Sequence, residues 1–340
     1  MNQHKPIASL SFDLDNQWSY MKTHGDSGWE SFPSYLDIVV PRVLDFLEER
    51  QLKITFFVVG QDAALKKNHA AIRSIAAAGH EIGNHSFSHE PWFHIYTTYE
   101  VDKEISLAEK EIENVTGSKP IGFRGPGYSL SKATIEILEQ RGYLYDASIL
   151  STYLGPFARM YFFMTSNFSE DEKRKRSLLF GSFRDGFRSN HPYQWRNCNN
   201  QPGECLNEIP VTTVPILKIP FHVSYILYIS SFSPVLALLY FRFALSMCVI
   251  TRTRPSLLLH PLDFLGGDEI NDLSFFPAMS LTAERKMRVV DKVLSLYSRL
   301  YNVVSLQKYI QTIQQNSRSV DVEQYFKSAK NRTTSKITYR

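Results

Sequence analysis

The stretch GHEIGNHSFSHEPW, at residues 79–92, contains three histidines, of which His85 and His89 are four residues apart. If the segment begins a helix, both imidazoles project to one side at a spacing suited to binding one metal ion. The third ligand is then expected to be an oxygen from another element. Histidine-rich polar loops also occur without a metal, so the motif alone leaves both alternatives open. His80 precedes a predicted strand and is expected to be structural.

Two aspartates near the N-terminus offer the expected oxygen. Asp13 and Asp15 lie in the segment SFDLD, at the end of the strand-like run IASLSF. Parallel α/β sheets place their active sites at the carboxyl ends of their strands, and both aspartates occupy such an end. A strand-end aspartate is also common as a turn residue or a helix cap, and that alternative stays open for either residue taken alone.

Three later segments place polar side chains directly after apolar runs. FRGPGYS contributes Arg124, Pro126 and Tyr128, YDAS contributes Asp146, and LLLHP contributes His260. If the apolar runs are strands of one barrel-like sheet, all these side chains meet at one rim. Such convergence favours one catalytic site over a set of unrelated turn residues.

The elements that would position these side chains alternate between strands and helices. From residue 6 to about residue 150, short apolar runs alternate with segments of helical period, which is typical of βαβ units and a mainly parallel sheet. The alternation returns near the end of the chain. The predicted strands are residues 7–12, 53–59, 80–84, 121–124, 143–146, 256–260 and 302–305. The fold class is therefore predicted to be α/β.

Composition and charge exclude several classes of function. The 340 residues are 43% apolar, which is enough for a large buried core. The net charge of +4 comes from the basic residues 327–340, so nothing over the fold indicates nucleic acid binding. Three cysteines are too few for a disulfide framework and favour a reducing compartment. The N-terminus has no export-signal pattern, so a cytoplasmic location is expected.

Two segments interrupt the alternating pattern. Residues 151–205 are predicted to be an insertion near the rim that acts as a lid or a docking surface. The apolar run 223–250 is long enough to span a bilayer, but a spanning helix would separate strands that belong to one sheet. Pro234 and Arg242 also weaken a spanning helix, which leaves either a buried helix pair or a hairpin in the membrane interface. Residues 317–340 are predicted to be a disordered basic tail.

The motifs SFDLD, HSFSH, FRGPGYS, YDAS and LLLHP, in this order, resemble those of the polysaccharide deacetylase family of carbohydrate esterases, the NodB-homology group. The resemblance covers about residues 6–150 and 205–310, and it places a catalytic domain at residues 6–316. It implies a distorted (β/α) barrel of about seven strands. It also implies hydrolysis of N-acetyl or O-acetyl groups on sugars with one divalent metal, commonly zinc.

The resemblance further implies a metal centre with its general base. Asp15, His85 and His89 match the metal ligands, and Asp13 matches the base. Common members of the family have two adjacent aspartates, whereas Leu14 separates the two here, as in one branch of the family. The side chains of a spaced pair point differently from those of an adjacent pair, so the division of roles between the two aspartates stays open.

The remaining motif residues match supporting roles. Arg124 would hold the base, His260 would be the general acid, and Asp146 would tune the acid end of the site. Pro126 and Tyr128 would lie at the substrate, with the backbone N–H of Tyr128 binding the oxyanion. This division suits amide hydrolysis, because a metal polarises the poorly electrophilic carbonyl, a carboxylate takes the water proton and an acid protonates the leaving amine.

The apolar run and the absence of an export signal predict a substrate at the inner membrane face. We expect a lipid-linked or nucleotide-linked amino sugar that is deacylated during surface glycan assembly, with peripheral membrane contact. Alternatives within enzymes are a deformylase or cyclic-amide hydrolase of the same fold, and a non-haem iron oxygenase that uses His24 and Asp26, which an α/β chain disfavours. A non-catalytic glycan-binding or membrane-associated homologue is the alternative from another class, although every catalytic group is present.

Overall fold

The computed structural model describes residues 5–155, 183–196, 205–313 and 318–330. Its strands are β1 (Ile7–Leu14), β2 (Thr55–Val58), β3 (Glu81–Asn84), β4 (Gly122–Phe123), β5 (Tyr145–Asp146), β6 (Tyr193–Arg196), β7 (Asn207–Glu208), β8 (Ser256–Leu259), β9 (Asn302–Val304) and β10 (Arg318–Asp321). Its α-helices are α1 (Gln17–His24), α2 (Leu36–Glu48), α3 (Gly60–Ala64), α4 (His69–Ala77), α5 (Thr98–Thr116), α6 (Lys132–Gln140), α7 (Val223–Phe232), α8 (Pro234–Ile250), α9 (Ala283–Leu300), α10 (Leu306–Ile313) and α11 (Val322–Lys330).

The strands form one sheet in the order β10-β6-β7-β5-β4-β3-β2-β1-β8, and β9 pairs with the first residues of β1. Neighbouring strands are parallel except for the antiparallel pair β6 and β7. All residues of β1 after Ile7 are buried, because helices and neighbouring strands cover both faces of a parallel sheet. The carboxyl end of β1 therefore opens into the middle of the rim.

The sheet closes into a distorted barrel beside β8. In the segment after β7, the N–H of Val211 donates to the carbonyl of Ile149 at 2.8 Å, and the N–H of Thr212 donates to the carbonyl of Ser256 at 3.0 Å. The N–H of Ser256 donates to the hydroxyl of Thr212 at 2.8 Å. This junction, which we call the seam, joins β8, β1, β2, β3, β4, β5 and the β7 segment into a ring. The predicted barrel of about seven strands is confirmed.

Helices pack around the barrel through apolar faces. The largest core cluster joins Phe12 of β1 to Val40 of α2, Phe241 of α8 and Val290 of α9. Local sequence fixes the helix ends: Thr97 and Glu100 form a reciprocal capping box at the start of α5. Gly117 ends the same helix in the left-handed region, at φ 75°.

Each of the seven predicted strands overlaps an observed strand, but the prediction of a disordered tail from residue 317 is wrong for residues 318–330. Strand β10 pairs with β6, and the rings of Tyr325 and Phe326 on α11 lie 4.7 and 6.4 Å from the ring of Trp195. These aromatic contacts, with buried Val322, give the segment enough apolar contact to order it. Residues 331–340 lie outside the described ranges.

The two interrupting segments have different outcomes. Of the predicted insertion 151–205, the ranges 156–182 and 197–204 lie outside the described residues, so its role as a lid stays a prediction. Strand β6, within the same insertion, joins the sheet. The apolar run 223–250 forms α7 and α8, joined at Ser233, whose hydroxyl accepts the N–H of Leu236. In the described part of the chain, no helix combines the length and hydropathy needed to cross a membrane.

Candidate metal centre and active site

The rim of the barrel brings the histidine loop next to the end of β1. Asp15 follows β1, His85 follows β3, and the intervening strand β2 pairs in parallel with both. The segment after β3 is a loop, so the two histidines do not lie on a helix. His89 and Ser86 have φ values of 51° and 59°, in the left-handed region that such residues rarely adopt. This backbone turns His89 back toward Asp15.

Asp15, His85 and His89 form a compact ligand set. One oxygen of Asp15, Oδ1, lies 3.2 Å from Nε2 of His85 and 3.1 Å from Nε2 of His89. The three ligand atoms lie within 4.8 Å of one another, and all three residues are buried. Asp15, His85 and His89 are the one group of three or more possible metal ligands found among the described residues. One carboxylate and two imidazoles form a donor set suited to a divalent ion of the zinc type, so the residues fit the predicted metal.

The orientation of the His85 ring is fixed by a hydrogen bond on the side away from Asp15. Its Nδ1 donates to the backbone carbonyl of Arg124 at 2.6 Å, which leaves the lone pair of Nε2 facing Asp15. Metal-binding histidines commonly donate the second ring nitrogen to a carbonyl in this way. The Nδ1 atom of His89 is buried and has no hydrogen-bond partner among the described residues. His85 is therefore the better oriented of the two imidazoles.

Electrostatics at the ligand set favour an ionised Asp15. Burial acts to raise the pKa of Asp15, but the charges and hydrogen bonds of His89 and His85 outweigh burial and hold this pKa well below its ordinary value. Burial acts to lower the pKa of His85, whereas Asp15 and Asp13 raise it above its ordinary value. The carboxylate of Asp15 thus favours a positive charge next to it, as a carboxylate that binds a cation does.

The loop that carries His89 is held by a residue that sequence reasoning missed. Glu104, on α5, accepts the N–H groups of Phe87 and Ser88 at 3.0 and 2.8 Å and the hydroxyl of Ser88 at 2.7 Å. Lys22 donates to the carbonyl of Ser88 at 3.0 Å and pairs with Glu90 at 2.5 Å. Glu104 lies in a helix of ordinary amphipathic pattern, so its local sequence carried no signal of this role.

Asp13 and Arg124 form a buried ion pair next to the ligand set. Arg124 is fully buried, and its Nη1 lies 2.6 Å from Oδ1 of Asp13. The same guanidinium donates to the hydroxyl of Ser11 at 2.8 Å and to the carbonyl of Ala147 at 2.9 Å. Its carbon lies 4.4 Å from the ring centroid of Phe57. The structure thus brings the predicted base and its predicted holder together.

His260 is held by a pair of residues that sequence reasoning did not find. Its Nδ1 lies within hydrogen-bond distance of the hydroxyl of Ser224, at 3.0 Å, and that hydroxyl donates to Oδ1 of Asp263 at 2.8 Å. The backbone N–H of His260 also donates to Oδ2 of Asp263 at 2.8 Å. Burial raises the pKa of Asp263, and the His260 ring opposes this rise. The chain Asp263–Ser224–His260 therefore engages Nδ1 of the His260 ring.

Asp146 makes different contacts from those the sequence suggested. Its carboxylate accepts the hydroxyl of Ser148 at 2.6 Å and shares a hydrogen bond with Glu208. The hydroxyl of Ser148 accepts the N–H of Gly125 at 2.8 Å. Asp146 thus supports the loop after β4, and the hydrogen bonds of His260 run to Asp263 instead. The two residues diverge because Asp146 ends β5, which pairs with β7, whereas His260 ends β8.

Asp146 and Glu208 form a buried pair of carboxyl groups joined by a hydrogen bond. Burial raises the pKa of Asp146, and burial together with the charge of Asp146 raises the pKa of Glu208 well above its ordinary value. Trp195 donates its indole N–H to Glu208 at 3.1 Å. Sequence reasoning missed Glu208 because it lies in a strand-like run without a motif.

Pro126 and Tyr128 lie in a tight turn at the rim, at Pro126–Tyr128. The backbone N–H of Tyr128 donates to the carbonyl of Gly125 at 3.1 Å. The expected oxyanion donor is therefore already engaged, because the 3-10 turn uses it. Burial, with the charge of Asp13, raises the pKa of the Tyr128 phenol well above its ordinary value. Tyr128 thus lines the site with a neutral hydroxyl.

One further histidine belongs to this site although the sequence offered no partner for it. The ring of His222 is buried and lies 6.1 Å from the ring of His260 and 4.7 Å from that of Tyr225. Burial, with the positive charges of His260 and Arg124, lowers the pKa of His222 well below its ordinary value. His222 is therefore a neutral side chain beside His260.

Comparisons with known proteins agree with this geometry. Residues 24–145 match the family model for polysaccharide deacetylase. The peptidoglycan deacetylase of Helicobacter pylori is 30% identical over 122 residues, which are 36% of this chain and 40% of that protein. The peptidoglycan-N-acetylglucosamine deacetylase of Bacillus cereus is 25% identical over 142 residues, which are 41% of this chain and 61% of that protein.

A solved structure from Mycobacterium smegmatis, assigned to the polysaccharide deacetylases, has the same fold. It aligns with a TM-score of 0.58 over 94% of this chain and 95% of that chain, at 21% identity. The curated relatives are matched over less than two thirds of their length. The motif order, the closed barrel and the family match nevertheless agree along the chain. Residues 24–145 thus match the polysaccharide deacetylase family, and the chain shares the fold of a structure assigned to it.

Proposed function

We propose that this protein is a metal-dependent hydrolase that removes an N-acyl group, in the first place acetyl, from an amino sugar. The observation that carries the proposal is the buried set of Asp15, His85 and His89 beside the ion pair of Asp13 and Arg124. Its relatives are named as deacetylases of peptidoglycan. Related reactions of the same fold, such as deformylation or opening of a cyclic amide, are separated by product analysis.

Asp15, His85 and His89 would hold one divalent ion, for which zinc is our proposal. When bound, such an ion polarises the acyl carbonyl and lowers the pKa of a water molecule. The protein's own part is to present three ligand atoms in a buried, preformed arrangement. The bond from His85 to the Arg124 carbonyl keeps one of them in place before the ion arrives.

Asp13 would act as the general base. A carboxylate that takes the proton of an attacking water must be ionised and fixed in position. The guanidinium of Arg124 fixes the carboxylate in position, because it lies 2.6 Å from Asp13 and is itself anchored by Ala147 and Ser11.

His260 would be the general acid. As the new carbon–oxygen bond forms and the amide carbon–nitrogen bond breaks, the leaving nitrogen needs a proton, which Nε2 of the imidazolium supplies. Ser224 accepts the other ring proton, and Asp263 accepts that of Ser224. The products are the free acid and the amino sugar. Asp146 and Glu208 would support the loop after β4 instead of touching the reacting atoms.

We propose a lipid-linked or nucleotide-linked amino sugar as the substrate, deacylated during surface glycan assembly at the inner membrane face. Two features support this setting. The exposed apolar side of α8 is suited to a membrane surface, and the free thiols of Cys205 and Cys248 suit a reducing compartment. Deacylation of a soluble glycan fragment is the control, because it measures the reaction without a lipid or nucleotide group on the substrate.

The test measures acetate and formate released by metal-loaded protein from lipid-linked, nucleotide-linked and soluble N-acyl sugars. Wild type is compared with His85→Ala and Asp13→Asn, and the matched controls are His191→Ala and Asp37→Asn, which alter exposed residues outside the site. We expect metal-dependent acetate release that is lost in the first two variants and kept in the controls. Formate as the product would replace deacetylation by deformylation, and tight metal binding without turnover would overturn the hydrolase proposal for these substrates.

A further inference from the structure

The outward side of α8 is mostly apolar, and Arg242 and Ser246 are its exposed polar residues after Pro234. Its exposed apolar side chains are between 44% and 73% accessible, and they are Val235, Leu236, Leu239, Phe243, Val249 and Ile250. The opposite side packs into the core through Ala237, Phe241 and Ala244. A surface helix of a globular protein normally carries polar residues on its outer side. We call this outward side the apolar face.

The apolar face continues into neighbouring segments. At the tip of the helix pair, Phe232 is 75% exposed and packs on Tyr228 with ring centroids 5.4 Å apart. The exposed side chains of Ile216 and Leu217 lie in the loop before α7, and the hydroxyl of Tyr240 donates to Pro220 of this loop at 2.8 Å. An apolar patch of this extent marks an interaction surface.

Most of the charge bordering the apolar face is positive. Residues 209–262 contain no aspartate or glutamate. Arg242 and Arg252 are exposed, and no described residue forms an ion pair with either. At the tip, Ser230 and Leu238 border a groove with Arg285, Arg288 and Lys292 of α9. Arg288 pairs with Glu284, whereas Arg285 and Lys292 form no ion pair with a described residue. Cations around an apolar surface are complementary to the anionic headgroups and acyl chains of a lipid interface.

From these observations we infer that α7 and α8 dock the protein on an anionic lipid surface, with the apolar face lying in the plane of the interface. A second copy of the chain is a poorer occupant. A two-fold contact through this face would bring Arg242 and Arg252 close to the same arginines of the other copy, with no carboxylate in the segment to pair them. The buried side of α8 stays on the barrel, so docking needs no rearrangement of the core.

The docking surface leads directly to the active site. Ser224, in the first turn of α7, contacts His260, and the tip between α7 and α8 packs beside the first half of α9. α7 is about 15 Å long, so the site lies within reach of a headgroup at the surface. This inference rests on the proposed function in one respect: a lipid-linked amino sugar would meet the rim without leaving the membrane.

Sedimentation with vesicles tests the inference. Full-length protein is mixed with vesicles of phosphatidylcholine alone or with added phosphatidylglycerol, at low and high salt. We expect wild type to bind the anionic vesicles and to lose binding as salt rises. The variant Val235→Glu/Leu239→Glu should bind at least about tenfold more weakly, because two exposed apolar contacts are replaced by charge. Ile38→Glu, at an exposed apolar position on α2, is the matched control and should bind as wild type.

Wild type that stays in the supernatant with every vesicle, or a double variant that binds as well as wild type, would overturn the inference. A dimer in solution that the double variant dissociates, without vesicle binding, would assign the face to a second copy instead. Acetate release from a soluble N-acetylglucosamine oligomer is measured on the same samples. Wild type that releases no acetate speaks against the proposed function, whereas wild type that releases acetate but binds no vesicle speaks against the docking surface, so the two failures are distinguishable.

Discussion

The two histidine-bearing sides of the site are built in opposite ways. On the metal side, Asp15 and His85 follow strands of one continuous ladder, and His85 is fixed by a backbone carbonyl. On the acid side, His260 depends on two side chains, Ser224 and Asp263, and the first belongs to a helix outside the barrel. Backbone register thus fixes the metal side, whereas side-chain packing of α7 fixes the acid side. Variation in the helix pair is therefore expected to alter acid catalysis while leaving metal binding unchanged.

The largest expected effect separates the two aspartates of the metal side. Asp15→Asn should abolish binding of a divalent ion and lower acetate release by about 10³-fold or more, because it removes a ligand. Asp13→Asn should lower acetate release strongly while it retains the metal, since Asp13 contacts Arg124 instead of the ligand set. Metal content by mass spectrometry and product release are measured on the same samples. Equal metal loss in both variants would contradict this division of roles.

The second effect concerns stability. Arg124→Ala should lower the free energy of unfolding by about 3–5 kcal/mol, because it leaves Asp13 buried without its partner. The matched control is Arg42→Ala, which breaks the half-exposed pair with Glu269 and should cost about 1 kcal/mol or less. Urea unfolding followed by circular dichroism measures both values. Equal losses in the free energy of unfolding would show that the buried ion pair stabilises the fold no more than the surface pair does.

The third effect isolates the acid side. Ser224→Ala should lower kcat by about tenfold with KM and metal content unchanged, since it removes the acceptor that orients His260. Its pH–rate profile should change on the limb that reports the acid. Ser231→Ala, on the same helix and bonded only to the carbonyl of Tyr228, is the control that should leave kcat as in wild type. A parallel loss of metal in Ser224→Ala would break the proposed independence of the two sides.

The smallest effect concerns a histidine on neither side. Burial, with the charge of Lys53, lowers the pKa of His80 to about 4, and its Nδ1 accepts the N–H of Ile54. Between pH 6.5 and pH 4 the unfolded chain therefore binds more protons at this residue than the folded chain does, so stability falls as pH falls through that window. After screening, the loss should be about 1–2 kcal/mol. Unfolding at pH 7 and pH 4.5 should show a smaller difference in His80→Gln, whereas an unchanged difference would assign the titration to other groups.

The sequence predicted the metal side more completely than the acid side. Asp13, Asp15, His85, His89 and Arg124 lie in short motifs after apolar strands, and strand ends of a parallel sheet share one edge. Their spatial grouping agrees with that expectation, although their catalytic roles remain predictions. Ser224 and Asp263 were missed because their contact with His260 depends on how α7 packs, which no local pattern encodes.

The fold was predictable where strands and helices alternate and was missed where contacts are distant in sequence. β10 pairs with β6 across more than a hundred residues, and the aromatic residues of α11 gain their contacts only when Trp195 is in place. In isolation, residues 318–330 read as part of a polar, basic tail. Tertiary contact with the β6 edge overrides that local composition.

The seam between Thr212 and Ser256 makes the barrel mechanically a split ring. Force applied to such a ring is taken up mainly at the split, and the arc opposite the split deforms least. Strand β3, which leads into His85, lies on that opposite arc, whereas His260 ends β8 at the split itself. His85 and His89, which follow β3, thus lie on the arc away from the seam, whereas Asp15 follows β1, the neighbour of β8. His260, the proposed proton donor, lies beside the seam.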